Sequence, residues 1–275
     1  MTDARSVIVT GAASEVGAAV ATAFARAGDR VFAADLSWDG LAQLVESIGS
    51  ELIQGRVLDV ADADAVQELV GSVVAQTGRA DVLVSNAGVF DGAASISETE
   101  RDLWDKIIRI DLTGCFNCAK AVSEQMIAQQ SGRIINLSAV AAQRALPDGI
   151  AYCAAKAGIE GLTSRLAFDL GEYGVTANVV APGAIHTSAR ITSEEILGAI
   201  ADKRLTVGAS PEQINLLIPM RRAGLPSEIA ATVFFLASEA AAHINGEVIS
   251  VVGRWERRLN RPIPESVQVE SSVHD

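Results

Sequence analysis

Short apolar runs recur along this chain and alternate with longer stretches of helical period. The runs Ser6–Thr10, Arg30–Asp35, Glu51–Val57, Val82–Ser85, Arg133–Ser138, Thr176–Ala181 and Glu247–Val251 read as strands. Most are continuously apolar rather than alternating, the pattern of strands covered on both faces. Helical period fills Val16–Ala27, Asp62–Gln76, Glu100–Gln129, Ala151–Leu170 and Ser227–Ser238. Gly28 closes the first of these and Pro226 opens the last. Strands and helices alternating at this length require right-handed crossovers. The expected fold is therefore α/β: a doubly wound, parallel, seven-stranded sheet of Rossmann type in a three-layer αβα sandwich.

Two segments break the alternation. Residues 188–222 are weakly periodic and long for a connection inside a compact domain, which predicts a lid or binding loop. Beyond Gly253 the chain turns polar, with Arg254, Arg257, Arg258 and Arg261 followed by Pro262 and Pro264. The reading is one domain over 1–253, carrying the lid at 188–222, and a C-terminal extension at 254–275 that is either a solvated tail or an arm on a neighbouring subunit.

Composition narrows the partners. A net charge of −12 over 275 residues argues against nucleic acid, whose phosphates need a basic face. No uncharged apolar stretch is long enough to span a membrane, and the N-terminus leads directly into a strand without a signal-peptide pattern. Three cysteines are too few and odd in number for a disulfide framework, so the cytoplasm is the expected compartment. Cys115 and Cys118 form C-x-x-C inside a helix with no second ligand pair. They read as packing residues, and no metal site is expected.

The first strand runs through Thr10-Gly11-Ala12-Ala13-Ser14-Glu15-Val16-Gly17 into a helix. Glycine at such a turn lets backbone N–H groups approach a pyrophosphate at the helix N-terminus. Asp35 ends the second strand, followed by Leu36. A carboxylate there accepts hydrogen bonds from ribose hydroxyls and repels a 2′-phosphate, which favours NAD over NADP.

With further motifs in order, the chain resembles the short-chain dehydrogenase/reductase family over about residues 5 to 253. The glycine signature is Thr10-Gly11 to Gly17, and Ser14, Glu15 and Val16 lie inside it. Asp59-Val60 matches the adenine-side pair, and Asn86-Ala87-Gly88 follows the fourth strand. Tyr152 and Lys156 form Y-x-x-x-K, and Pro182-Gly183-Ala184-Ile185-His186-Thr187 matches the nicotinamide segment. The resemblance implies NAD as cofactor, with Gly183, Ile185 and Thr187 near the nicotinamide. It also implies a small-molecule substrate and a homotetramer.

Tyr152 and Lys156 are four apart, so a helix puts them on one face. By resemblance the tyrosine exchanges a proton with the substrate oxygen. A phenol titrates near pH ~10 unaided, and the lysine's charge favours the phenolate.

The resemblance breaks at particular positions. The family's middle glycine is Glu15, which either crowds the pyrophosphate or points outward and favours the helix dipole. The catalytic serine position is Ala139, leaving Ser138 as a substitute only if the backbone bulges, because strand alternation turns it the other way. The helix asparagine is Asp111, whose charge can pair with Lys156 and dilute its help to Tyr152. The final turn is Val251-Val252-Gly253-Arg254 where the family has Val-Asp-Gly-Gly. His186 either faces the substrate or is a solvent-facing loop residue, the simpler reading; Cys153 reads as packing, and Trp38 either edges the adenine pocket or is a partly buried loop aromatic.

Three functions stay open. The first is an NAD-dependent oxidoreductase interconverting a secondary alcohol and a ketone, with Tyr152 and Lys156 as its core and Asp111 and Ser138 as altered helpers. The others are a lyase or isomerase on the same scaffold and a catalytically weak NAD-binding subunit. The substrate pocket falls to 188–222 and Gln143–Ile150, whose Ala, Leu and Ile content suggests an uncharged, fairly apolar molecule.

Overall fold

Strands apolar on both faces must be covered on both sides, and the computed structural model shows how this chain does it. It describes residues 4–92, 95–143, 148–187 and 218–253. Most of the expected lid, part of the Gln143–Ile150 loop and the extension at 254–275 lie outside the described residues. The strands are β1 Ser6–Thr10, β2 Arg30–Asp35, β3 Ile53–Val57, β4 Val82–Ser85, β5 Gly132–Leu137, β6 Val175–Pro182 and β7 Val248–Val251. All pair in parallel, in the order β3-β2-β1-β4-β5-β6-β7. This is the doubly wound fold expected from the sequence.

The helices are α1 Glu15–Arg26, α2 Trp38–Ile48, α3 Ala63–Thr77, α4 Arg101–Ile107, α5 Gly114–Gln129, α6 Ile150–Leu170 and α7 Pro226–Leu236. Successive strand residues serve opposite layers. Val7 and Val9 of β1 pack with Val20 and Phe24 of α1 and Ile229 and Val233 of α7. Between them, Ile8 faces the other way, toward Leu69 and Val73 of α3 and Val122 and Met126 of α5. Every residue of β1 is therefore buried, worth about 1.5–3 kcal/mol for a large aliphatic side chain.

Two elements differ from the sequence reading. The stretch after Asp35 is a helix, not a loop. Ser37 caps it by accepting from Gly40 N, Leu41 and Leu44 are buried, and Gly49 ends it in the left-handed conformation. Trp38 is accordingly the first residue of α2, 57% exposed. The apolar spacing 41, 44, 45, 48 carried this signal, and Gly40 interrupts it. The long helix expected over Glu100–Gln129 is broken at Ile108–Thr113 by a π-helical segment that holds Asp111. Wide turns of this kind recur at functional sites. Other boundaries move by one or two residues, within ordinary end fraying.

The crossing from β1 to its neighbour β4 is the topological switch point, where crevices open at the C-terminal ends of the strands. Tight packing there depends on Gly17, because a Cβ on it would strike the backbone of Gly11 and Ala12. Gly17→Ala should destabilise the fold by about 1–3 kcal/mol in urea unfolding. The exposed mid-helix Gly71, whose Cβ would meet nothing, is the control: Gly71→Ala should add about 0.5–1 kcal/mol.

Candidate active site

The glycine-rich turn is stitched to the loop after β4. Gly11 turns the chain with φ at +62°, a conformation costly for other residues. Ser14 caps α1 by accepting from Gly17 N at 3.1 Å, while its own hydroxyl donates to Gly11 O at 2.7 Å. The Asn86 amide lies within hydrogen-bond reach of Thr10 O, Gly11 O and Ser14 Oγ, at 3.1, 2.9 and 3.1 Å. Thr10 Oγ1 in turn accepts from the backbone of Asn86 and Ala87. Two loops far apart in sequence thus form one rigid floor at the positive end of α1. Glu15 is the first helical residue and is exposed, with its charge in the turn where the helix dipole favours an anion.

Asp35 borders this floor. Its carboxylate accepts from Ala13 N and Ser37 N, each at 3.0 Å, which ties the glycine turn to the start of α2. Leu36 beside it is 65% exposed. Asp59 accepts from Ala61 N at 2.9 Å, and Val60 is buried against Gly114. At the far side, Pro182 ends β6, Gly183 N donates to Val251 O, and Ile185 bridges to Gly224. Thr187 is the last residue described before 218. His186 is exposed, and its backbone N donates to Gly224 O at 2.8 Å.

The candidate chemical centre is built on α6. Tyr152 and Lys156 share one face, with the Lys156 Nζ 5.3 Å from the centre of the Tyr152 ring. The Phe90 ring stands edge-on to Tyr152 at 5.2 Å. Lys156 is only 5% exposed, and its ammonium donates to Leu137 O at 3.3 Å. Its charge is met by Asp111 Oδ2 at 3.2 Å. The Asp111 carboxylate is fully buried, and its other oxygen accepts from Val89 N at 2.8 Å. Gly88 leaves room for the pair, since a Cβ on it would crowd both partners.

Burial works against the Lys156 ammonium, but the Asp111 carboxylate and Tyr152 outweigh it and hold Lys156 above the usual lysine range. Burial pushes the Asp111 carboxyl up, opposed by Lys156 and the Val89 N–H. The ion pair keeps a positive charge beside the phenol while taking part of its field.

Ser138 is buried, and its hydroxyl is directed at α6. It lies 3.0 Å from Lys156 O and 3.1 Å from Glu160 Oε1, which Gln143 also approaches at 3.0 Å. The hydroxyl thus anchors the helix that carries Tyr152. Ala139 next to it is extended and 8% exposed.

The C-x-x-C pair is buried, with the Cys115 thiol pushed up to about 12 by burial, so it is inert at neutral pH. Among the described residues no cluster of His, Cys, Asp and Glu could hold a metal, and no helix is long and apolar enough to cross a membrane.

The sequence reading missed Asp91. It is fully buried just beyond the Asn86-Ala87-Gly88 turn, and its carboxylate accepts from the backbone N of Tyr152 at 3.1 Å. The helix end it serves has Gly149 at its N-cap, with no side chain to cap it, and that became visible only in the structure.

The protein-family model described as Enoyl-(Acyl carrier protein) reductase matches residues 11–253. The chain is 38% identical over 255 residues to the D-threitol dehydrogenase of Mycolicibacterium smegmatis, covering 92% of this chain and 93% of that one. It is 36% identical to the 3-oxoacyl-[acyl-carrier-protein] reductase FabG of Thermotoga maritima, covering 90% and 95% of the two chains. A crystal structure of an oxidoreductase of the short chain dehydrogenase/reductase family from Burkholderia thailandensis superposes with a TM-score of 0.80 at 31% identity, over 92% of this chain and 93% of that one. With similarity of this extent in both sequence and architecture, the chain belongs to the short-chain dehydrogenase/reductase family.

Proposed function

We propose that this chain is an NAD-dependent oxidoreductase that interconverts a secondary alcohol and its ketone. The observation that carries this reading is the Tyr152–Lys156 face of α6, where a buried ammonium lies 5.3 Å from the phenol ring. A charged pair buried at 3.2 Å is often matched in stability by apolar residues, so an ammonium kept there beside a phenol supports a chemical role.

The residues fit a dinucleotide. Gly11 and Gly17 keep the turn free of side chains that would collide with the neighbouring backbone, and the α1 amides face the same floor. Ser14, Val16, Asn86, Ala87 and Gly88 would line the pyrophosphate and ribose path, with Asp59 and Val60 at the adenine. Asp35 would receive the ribose hydroxyls and turn away a 2′-phosphate. Arg56, on the adjacent strand, is occupied by Gln54 and Gly55 O, which supports NAD rather than NADP. Pro182, Gly183, Ile185 and Thr187 would hold the nicotinamide end, and the bound nicotinamide supplies the hydride acceptor or donor.

Tyr152 takes the hydroxyl proton of the alcohol, or returns it to the ketone oxygen. Lys156 stabilises the phenolate in between and reaches toward the ribose. Asp111 holds Lys156 protonated and in place. Ala139 brings no hydroxyl to the substrate oxygen, so polarisation there rests on Tyr152, with Ser138 acting on the helix instead. The substrate is an uncharged molecule, and the names of the relatives make D-threitol and a 3-oxoacyl-[acyl-carrier-protein] the first two to assay. The protein works in the cytoplasm as a homo-oligomer. Phe116 on α5 and Phe168 on α6 are 47% and 79% exposed, as residues covered by another subunit would be in one chain alone.

Tyr152→Phe should abolish turnover while changing NADH affinity by no more than about twofold to threefold, as followed by tryptophan-to-nicotinamide energy transfer. Turnover retained in that variant would overturn the mechanism. In the same titration NADH should bind and NADPH should not. Absence of NADH binding in the parent, restored by Glu15→Gly, would instead point to a closed cofactor site and a non-redox or scaffolding role.

The chain has two tyrosines, so in a Tyr173→Phe background phenolate absorbance reports Tyr152 alone. There, Lys156→Met should raise the titration midpoint by about one unit, and Asp111→Asn should lower it by removing the competing anion. Midpoints unmoved by both substitutions would separate Lys156 from the acidity of Tyr152.

A further inference from the structure

Helix α6 begins without a cap of its own. Its N-cap position is Gly149, which has no side chain to accept the free N–H groups of the first turn. The acceptor comes from another part of the chain. Asp91 lies sixty-one residues before Tyr152 and accepts from the backbone N of Tyr152 itself at 3.1 Å. Its other oxygen, Oδ1, is buried against Gly149 and, among the described residues, has no hydrogen-bond partner within bonding distance. A Cβ at 149 would collide with the carboxylate, so the aspartate in this place requires a glycine at 149. The carboxylate is fully buried, which is costly for a charge with one oxygen unpartnered.

A local serine or aspartate at 149 would cap the helix at far lower cost. What the distant cap adds is a tie. Asp91 follows the Asn86-Ala87-Gly88 turn, itself stitched to Thr10, Gly11 and Ser14, and Phe90 next to it stands edge-on to the Tyr152 ring. The cap thus joins the floor of the cofactor crevice to the tyrosine.

From this geometry we infer that Asp91 is a positioning residue for Tyr152, which locks the first turn of α6 to the Asn86–Gly88 loop and biases the phenol toward its protonated form. The bias follows from electrostatics. The positive end of a helix favours a phenolate in its first turn, and a carboxylate seated on that end cancels the effect. The charged groups around the phenol then divide in sign. Lys156 favours the phenolate, while Asp91 from the β4 loop and Asp111 from the π-helical segment oppose it. Cys153, the neighbour of Tyr152 on α6, has its own thiol raised, first by burial and then by Asp148 and Asp91. The inference rests on Tyr152 being the acid–base group, but its test needs no turnover.

The test uses the full chain carrying Tyr173→Phe and follows phenolate absorbance against pH, with thermal unfolding in parallel. Asp91→Asn keeps the shape and can still accept from Tyr152 N, but removes the charge. Its phenol should titrate about 0.5–1 unit lower than the parent's. Asp91→Ala with Gly149→Ser moves the cap onto the helix itself, into the space the carboxylate leaves. This pair should regain most of the thermal stability lost in Asp91→Ala alone, yet keep the displaced titration. A midpoint equal to the parent's in both variants, with only thermal stability changing, would reduce Asp91 to a helix cap and overturn the inference. Turnover lost in Tyr152→Phe together with unmoved titrations would leave the proposed mechanism standing without it, so the two can fail separately.

Discussion

The buried charge pair between Lys156 and Asp111 is the constraint around which the candidate site is arranged. An ammonium 5% exposed and a carboxylate with no exposure meet at 3.2 Å. Removing one member of such a pair typically costs about 3–5 kcal/mol, because the other is left buried and unpaired. The pair therefore has to be supported from every side. Val89 N donates to one carboxylate oxygen, Leu137 O accepts a hydrogen bond from the ammonium, and Gly88 leaves the space that both heads fill. These contacts come from the loop after β4, the end of β5, the π-helical segment and α6. A single electrostatic requirement thus fixes the relative placement of four parts of the chain at the mouth of the sheet.

A second stitch lies beside it. Thr10 and Asn86 join the ends of β1 and β4 through side chains rather than strand pairing, which stops at Val9 and Val84. Beyond those residues the helices diverge to opposite faces, and the crevice would be loose without the polar cross-links. Asp35 extends the same network to α2. The floor of the crevice is consequently rigid because its polar groups already satisfy one another.

Much of the fold was legible because its strands are buried on both faces. Continuous apolar runs such as Val7-Ile8-Val9 leave few alternatives once helices separate them. The helix from Trp38 to Ile48 was less legible because Gly40 and the exposed Trp38 dilute its period, although Ser37 and Gly49 mark its two ends. At the site, the spacing of Tyr152 and Lys156 was enough to place them on one face, and the charge of Asp111 was enough to suggest its partner. Asp91 could not be found that way. Its partner is a backbone N–H, which carries no sequence signal, and the absence of a side chain at Gly149 acquires meaning only when the helix end is seen. Ser138 is a similar case, since a hydroxyl on the back of a strand end has several acceptors in reach and only the fold selects among them.

The wide turn at Ile108–Thr113 works as a phase shifter. An α-helix advances about 100° per residue, so a turn holding one extra residue rotates everything after it by roughly that angle relative to what precedes it. Before the turn, Leu103, Trp104 and Ile107 face the start of α6; after it, Cys118, Val122 and Met126 face the sheet. The same phase shift also brings Asp111 inward toward Lys156. Losing one residue from the turn would rotate α5 by roughly 100° against α4, so that either the carboxylate would swing out of register with the ammonium or Cys118, Val122 and Met126 would leave the sheet.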